Sequence, residues 1–377
     1  MRYLTSDIIL TAYSSPISDG VLVINDEGKI MDILDDKRQI ELHKLEYYKG
    51  AICPGFINTH CHLELSHLRG ELAQKTGLPH FINSIGQIRK ADRQVKLQAM
   101  KIADKQMYER GIVAVADICN TADTFQVKER SLMFYYSFIE LFASNPSRAD
   151  EVFERGLQLS KQCNTPNSLT PHANYSVSLP LLEKIKKHNK GEKISIHSQE
   201  TNTEDEMFLN GTGDLLSQLI AKDFFKYTGK TALQSTLPLL PHAPTLLVHN
   251  TFTSKQDLHE ALSNYNNLFW CTCPKANLYI ENQLPNYQQF IDSKVKMTIG
   301  TDSLASNDTL CILEEMKTIQ PFVPLELLIE WACKNGAEFL DLAALGTFQE
   351  GKTPGINHIN HIVNGKLTQD SQVVKLF

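Results

Sequence analysis

Residues 54–64, PGFINTHCHLE, predict a buried strand that ends in two histidines. Side chains two residues apart on a strand point to the same side, so His60 and His62 can direct two imidazoles at one point beyond the strand's end. Two neutral imidazoles that converge suit a divalent transition metal. A His-x-His pair also arises by chance, with both rings solvated or buried in a core, so the interpretation depends on the rest of the chain.

The composition indicates an ordinary soluble globular protein, because 42% of the 377 residues are hydrophobic and 21% are charged. A formal net charge of -6 predicts no binding to nucleic acid or to an anionic membrane. No apolar run approaches the roughly 20 residues that span a bilayer, and the first residues do not resemble a signal peptide. The eight cysteines are scattered, which predicts free thiols in a reducing cytoplasm.

Both ends of the chain have the pattern of hairpins. Short apolar runs near the N-terminus are separated by the turn sequences ISDG (residues 17–20) and DEG (26–28), and HIVNGKL (361–367) reads as a hairpin near the C-terminus. We therefore expect residues 1–53 and 346–377 to form one small composite β-domain of the β-sandwich type.

Between the two ends, apolar strand-like runs alternate with helix-period stretches such as residues 87–109 and 180–188. The runs are residues 52–58, 112–118, 132–139, 169–172, 193–197, 245–249, 268–271 and 295–300. Eight such runs predict an α/β fold, a (β/α)8 TIM-type barrel over residues 54–345. An open doubly wound sheet is the alternative, but the first run is not followed by the Gly-rich phosphate turn typical of that fold.

Polar residues end several of the eight runs, and the active site of such a barrel lies at the carboxyl ends of its strands. The residues that we predict as metal ligands are His60, His62, His197 and Asp302. Three imidazoles and one carboxylate leave a coordination position for water. A divalent metal lowers the pKa of that water and makes hydroxide available at neutral pH.

The remaining polar residues at these ends predict acid–base chemistry. Asp302 could accept the proton of the water, and His249 could orient the water and stabilise developing charge. Glu200, in the loop three residues past His197, could protonate the substrate. Each residue also has a structural interpretation, since Asp302 could cap a helix and Glu200 could be a solvated loop residue. The coincidence of such residues at four strand ends favours the metal site.

These residues resemble the amidohydrolase superfamily, and within it the branch of mononuclear deaminases and chlorohydrolases. The motifs are PGFINTHCH (54–62), HANYSVS (172–178), HSQET (197–201), LVHN (247–250), CPKANL (273–278) and GTDSLASN (300–307). The resemblance implies one zinc or iron ion on the four ligands above, with Glu200 and His249 as the catalytic pair. Other branches bridge two metals with a carboxylated lysine, and FIEL (138–141), which ends the third run, has none.

Residues 62–66 and 301–307 are similar to those of the aminodeoxyfutalosine deaminases, which act in the futalosine route to menaquinone. The resemblance implies hydrolysis of a 6-aminopurine nucleoside, with aminodeoxyfutalosine giving futalosine and ammonia. It also implies that His172 contacts the nucleoside. Further pocket residues that we expect on this basis are Glu64, Glu140 and Ser303.

Other functions remain open at this point. The same metal site would serve adenosine, S-adenosylhomocysteine, methylthioadenosine, guanine or a chloro-triazine. An inactive metal-binding or interaction protein would be expected to lack Glu200 or Asp302, and both are present. The unrelated zinc deaminases are disfavoured, because no Pro-Cys-x-x-Cys follows His62-Leu63-Glu64. A homodimer is common among the enzymes that the chain resembles, and the resemblance alone suggests one here.

Overall fold

A computed structural model of the chain describes residues 1–219 and 224–377. Its strands are β1 (Arg2–Ile9), β2 (Ile17–Ser18), β3 (Val21–Ile24), β4 (Ile30–Leu34), β5 (Leu45–Pro54), β6 (Phe56–Cys61), β7 (Ile112–Cys119), β8 (Phe134–Leu141), β9 (Asn167–Pro171), β10 (Ile194–Ser198), β11 (Thr245–His249), β12 (Leu268–Thr272), β13 (Lys296–Ile299), β14 (Ile356–Ile359) and β15 (Val373–Lys375).

The α-helices that the structure describes are α1 (Leu78–Ile88), α2 (Arg93–Glu109), α3 (Phe125–Lys128), α4 (Ala149–Gln162), α5 (Leu179–His188), α6 (Asn202–Asn210), α7 (Asp214–Leu219), α8 (Ala232–Thr236), α9 (Lys255–Asn264), α10 (Pro274–Ile280), α11 (Tyr287–Asp292), α12 (Ile312–Ile319), α13 (Leu325–Ile329) and α14 (Asn335–Leu340). A π-helical segment, Glu330–Lys334, joins α13 to α14. None of the described helices has the length and apolar character that crossing a lipid bilayer requires.

Strands β6 to β13 form the predicted barrel. They pair in two parallel four-stranded ladders, β6-β7-β8-β9 and β10-β11-β12-β13. Isolated parallel bridges connect the ladders, one between Ala173 and His197 and the other between Cys61 and Asp302. Nearly every residue of these strands is buried, as expected for parallel strands that are covered by helices on the outside and by side chains within the barrel.

The strands from the two chain ends share one sheet in the order β15-β14-β5-β1-β3-β4, with β2 paired to β1. Apolar residues of this sheet pack into a core of their own, which includes Leu22, Ile30, Ile52 and Phe348. The hydrogen bonds join the strands from both chain ends into a single sheet. The division of the chain at residues 53/54 and 345/346 stays a prediction.

The first predicted barrel run, residues 52–58, belongs to two strands rather than one. Gly55 separates β5 from β6, and its amide donates to the carbonyl of Pro354 at 3.1 Å. A Cβ atom on Gly55 would lie 2.4 Å from Val113 Cγ1, so the close approach of the two chain segments requires glycine. The terminal sheet and the barrel therefore meet immediately before the strand that carries the histidine pair.

The predicted helical stretch 87–109 is also divided. Helix α1 ends at Ile88, and α2 begins after Asp92, whose carboxylate accepts from Gln94 N at 2.7 Å. This is an N-cap, which starts a new helix instead of continuing the previous one. After the division, α2 packs against β7, whereas α1 lies beside residues that end barrel strands, such as His172 and His197.

Candidate metal centre and active site

His60, His62 and Asp302 meet where strands β6 and β13 end. The amides of Thr301 and Asp302 donate to His60 O at 3.0 and 3.1 Å, which positions the residues after β13 beside β6. Asp302 has a φ of 56°, in the left-handed region that non-glycine residues adopt rarely and that clusters at functional sites. Ser306 donates to the second carboxylate oxygen of Asp302, so the first oxygen is left facing the histidines.

The three side chains present their donor atoms at distances that fit one ion. His60 Nε2 and His62 Nε2 are 3.2 Å apart, and Asp302 Oδ1 lies 3.6 Å from the first and 3.4 Å from the second. A tetrahedral zinc ion with bonds of about 2.0–2.1 Å holds its ligand atoms roughly 3.3 Å from one another. The geometry and the chemistry of the donors therefore fit a divalent metal.

Two further histidines complete the cluster. The ring of His197 is 4.9 Å from that of His60, and the ring of His249 is 5.7 Å from it. His197 Nδ1 lies 2.8 Å from His172 O, and His249 Nδ1 lies 2.8 Å from Asn277 Oδ1. A ring that donates from Nδ1 keeps an unprotonated Nε2, which is the form that binds a metal. The structure thus brings the four predicted ligands together and places His249 beside them.

Burial sets the protonation of the cluster. Removal from water lowers the pKa of His60 and His197 below the ordinary histidine value and that of His62 to about 3, so the rings are neutral at pH 7. Burial alone would raise the pKa of Asp302, but the neighbouring His60 and His62 hold it well below its usual range. Neutral imidazoles and an ionised carboxylate are the forms that coordinate a cation.

Glu200 is buried and lies beside His249. Its Oε1 is 3.7 Å from His249 Nε2, and its own amide is fixed by Glu204 Oε1 at 2.7 Å. Burial, and secondarily the charge of Asp302, raises the pKa of Glu200 well above its ordinary value. A raised pKa favours the protonated carboxyl group, which is the form that acts as a general acid.

A cavity of about 450 Å³ opens onto these residues. Of the predicted substrate contacts, His172, Glu140 and Ser303 line it. Glu64 does not line the cavity, although it was predicted as a pocket residue. Its carboxylate instead accepts hydrogen bonds from Arg89 and from the amides of Asn120 and Thr121, so any effect of Glu64 on a ligand passes through its neighbours.

Glu140 is the cavity residue with an unused acceptor. Asn120 Nδ2 donates to Glu140 Oε2 at 2.8 Å, whereas the buried Oε1 has no hydrogen-bond partner among the described residues and lies 3.7 Å from His197 Nδ1. Burial raises the pKa of Glu140 to about 7. An unpaired buried acceptor is costly unless a ligand or water satisfies it, so Glu140 is suited to accept from a bound polar group.

The sequence interpretation missed residues that orient the predicted ones. Asn277 holds His249, and Ser306 holds Asp302. Both occur in motifs that the sequence singled out, CPKANL and GTDSLASN, but their roles depend on contacts between distant parts of the chain. Arg89, which lines the cavity, carried no signal of its own in the sequence.

Comparisons with known proteins give a family match over most of the chain. The model of the amidohydrolase family matches residues 51–375. The aminodeoxyfutalosine deaminase of Deinococcus radiodurans is 26% identical over 365 residues, which cover 89% of this chain and 84% of the relative. A 5-methylthioadenosine/S-adenosylhomocysteine deaminase of Halalkalibacterium halodurans is 24% identical over 364 residues, covering 89% and 77%.

Among solved structures, the chain is similar to that of Helicobacter pylori aminofutalosine deaminase in complex with methylthio-coformycin. The TM-score is 0.81 at 21% identity, and the match covers 99% of this chain and 97% of that one. At this level of identity the likeness concerns the fold alone.

Proposed function

The chain is an enzyme of the amidohydrolase family, and we propose that it is a metal-dependent deaminase of a 6-aminopurine nucleoside, with aminodeoxyfutalosine as its substrate. The observation that carries the proposal is the buried carboxyl group of Glu200, 3.7 Å from His249 and beside the metal-ligand cluster. A proton donor next to a metal centre is what replacement of a ring amino group by a carbonyl requires.

The ligand cluster would hold one divalent ion, and we propose zinc because imidazole and carboxylate donors at tetrahedral spacing suit it. When bound, the ion acts as a Lewis acid that makes hydroxide available from water at neutral pH. His60, His62, His197 and Asp302 are the residues that would hold it.

The chain's own residues then move the protons. As the water oxygen attacks C6 of the purine, Asp302 accepts one proton of the water and Glu200 donates its proton to the adjacent ring nitrogen. His249 stabilises the charge that develops on the new oxygen. The C6–N bond breaks as Asp302 passes its proton to the amino group and Glu200 recovers a proton from the hydroxyl group. One water is consumed and one ammonia is released.

Two further residues of the cavity offer polar groups that suit a nucleoside. His172 Nδ1 is fixed by Ser176 Oγ at 2.7 Å, so its other nitrogen is available to a ligand, and Glu140 offers the unused acceptor described above. The name of the Deinococcus radiodurans relative supports aminodeoxyfutalosine in particular. With that substrate the enzyme would act in menaquinone synthesis in the cytoplasm. We also propose a homodimer, which rests on the family resemblance alone.

The test is an ultraviolet assay of the zinc-loaded protein on aminodeoxyfutalosine, adenosine, S-adenosylhomocysteine and methylthioadenosine. Deamination shifts the adenine absorbance to that of hypoxanthine. We expect the largest kcat/KM with aminodeoxyfutalosine and loss of turnover after chelation. A larger kcat/KM with another nucleoside would contradict the substrate, and no turnover of any panel member by protein with confirmed zinc would overturn the deaminase proposal.

A further inference from the structure

One face of helix α1 forms a wall of the cavity. The residues of α1 and its C-cap that line the cavity are Leu78, Phe81, Ile82, Ile85, Gly86 and Arg89. Their spacing of three and four residues places them on a single helix face. This face is apolar along its whole length except at Arg89, where it ends in a guanidinium group.

Arg89 is a partly exposed residue of the cavity lining. Its side chain is 35% exposed, whereas that of Glu200 at the metal end is 6% exposed. Arg89 follows Phe81 by eight positions, which corresponds to about 12 Å along the helix axis. Glu200, the apolar face of α1 and Arg89 all line the same cavity, so one elongated ligand can contact all three.

The side chain of Arg89 is held in place by Glu64. Its Nη2 donates to Glu64 Oε1 at 3.2 Å. Glu64 is itself buried and anchored, because its Oε2 accepts from the amides of Asn120 at 3.1 Å and Thr121 at 3.3 Å. Among the described residues, no other side chain accepts a hydrogen bond from the Arg89 guanidinium. Its remaining N–H groups are free, and such a planar fork is suited to a carboxylate.

We propose that Arg89 is a specificity-determining residue that binds an anionic group at the end of the substrate remote from the purine. The inference rests on the proposed deaminase function and specifies its ligand class. That class is a 6-aminopurine nucleoside whose 5′ substituent has an apolar part and ends in a carboxylate. The apolar part packs on Phe81 and Ile85, and the carboxylate pairs with Arg89. Aminodeoxyfutalosine, which carries a benzoate, has this form, and methylthioadenosine lacks the charge.

The experiment compares kcat/KM for aminodeoxyfutalosine and methylthioadenosine in the wild type, Arg89→Met and Arg89→Lys, each loaded with zinc. Hydrogen bonds to charged groups contribute about 1.5–3 kcal/mol, so Arg89→Met should lower kcat/KM for the carboxylated nucleoside about 10- to 100-fold, mostly through KM. The change for methylthioadenosine should stay under about threefold. Arg89→Lys should lie between, because it keeps the charge and loses the fork.

Lys90→Met is the matched control, since Lys90 is the adjacent cation and is exposed; it should behave as the wild type. Equal losses on both nucleosides in Arg89→Met, or an unchanged preference, would overturn the role of Arg89. If the wild type deaminates neither nucleoside, the proposed function fails, and calorimetric binding of futalosine and inosine still decides the inference. Weaker binding of futalosine alone in Arg89→Met would support it, and unchanged binding would reject it.

Discussion

Lys128 Nζ lies 2.5 Å from Asp117 Oδ2, and neither side chain is exposed to solvent. The other carboxylate oxygen of Asp117 accepts from the amide of Leu63 at 2.8 Å, and Leu63 directly follows the predicted ligand His62. Burial alone would lower the pKa of Lys128, but the charge of Asp117 holds it above its usual value. A buried ion pair is thus connected through one hydrogen bond to the backbone that positions the metal site.

Replacement of Lys128 by methionine should destabilise the protein strongly, because it leaves the Asp117 carboxylate buried without its partner. Breaking a buried pair in this way lowers the free energy of unfolding by about 3–5 kcal/mol. Urea unfolding of the zinc-loaded protein measures this change in the free energy of unfolding. Lys105→Met is the control, since Lys105 and Glu109 form an exposed surface pair, whose loss should change the free energy by less than about 1 kcal/mol.

The double variant Lys128→Met/Asp117→Leu separates stability from positioning. Removing both charges should recover part of the free energy of unfolding, but Leu63 N still lacks its acceptor. We therefore expect zinc affinity, measured by competition with a chelator, to remain about tenfold weaker than in the wild type. Recovery of affinity along with stability would contradict a positioning role for Asp117.

Glu200→Gln should keep the shape of the side chain and remove the proton that it donates. Loss of a general acid lowers kcat by about 10²- to 10⁴-fold, while zinc content and melting temperature should match the wild type. Steady-state kinetics and metal analysis are the measurements. Glu183→Gln changes an exposed glutamate and should have no effect. Full activity in Glu200→Gln would mean that the proton comes from elsewhere.

Removal of metal should lower thermal stability, because the ligand cluster binds an ion only in the folded state. At a free zinc concentration 100 times the dissociation constant, the stabilisation is about 2.7 kcal/mol. The melting temperature should therefore fall on dialysis against a chelator and return with zinc. In Asp302→Asn the response to zinc should shrink, whereas exposed His80→Ala should retain it. An identical zinc response in Asp302→Asn would argue against Asp302 as a ligand.

The stability of the terminal sheet should respond to pH through Lys375. Burial lowers the pKa of Lys375 to about 8, and its ammonium lies 4.7 Å from the centre of the Tyr108 ring. Between pH 8 and about 10.4 the unfolded chain binds more protons than the folded one, so the free energy of unfolding gains a contribution that rises with pH. Relative to Lys375→Met, the wild type should gain about 1 kcal/mol from pH 7 to 10, after allowance for solvent screening. No difference in slope would contradict the lowered pKa.

The barrel could be predicted because parallel strands buried on both faces read as continuous apolar runs. The exact boundaries of the strands could not be predicted. The third run was placed at residues 132–139 and is Phe134–Leu141 in the structure, since apolar character alone does not say where the ladder begins. The break at Gly55 was missed, because it depends on the approach of Val113 and Pro354 from other parts of the chain.

The residues of the site also fall into those that could be predicted from the sequence and those that could not. His60, His62, His197 and Asp302 could be found because each ends a predicted strand, and strand ends converge in a barrel. Arg89 and Lys128 could not, because their importance comes from partners 25 and 11 residues away and no local pattern marks such pairs. Glu64 was predicted as a pocket residue on resemblance, and the structure gives it protein partners instead.

The two isolated bridges between the four-stranded ladders have a consequence for the assembly of the barrel. One joins Cys61 to Asp302 and the other joins Ala173 to His197, so each seam carries metal-site residues on at least one of its sides. A half-barrel of either ladder would contain only part of the donor set. A bound ion would take donors from both halves, so the loss of zinc binding would report the opening of the barrel during unfolding.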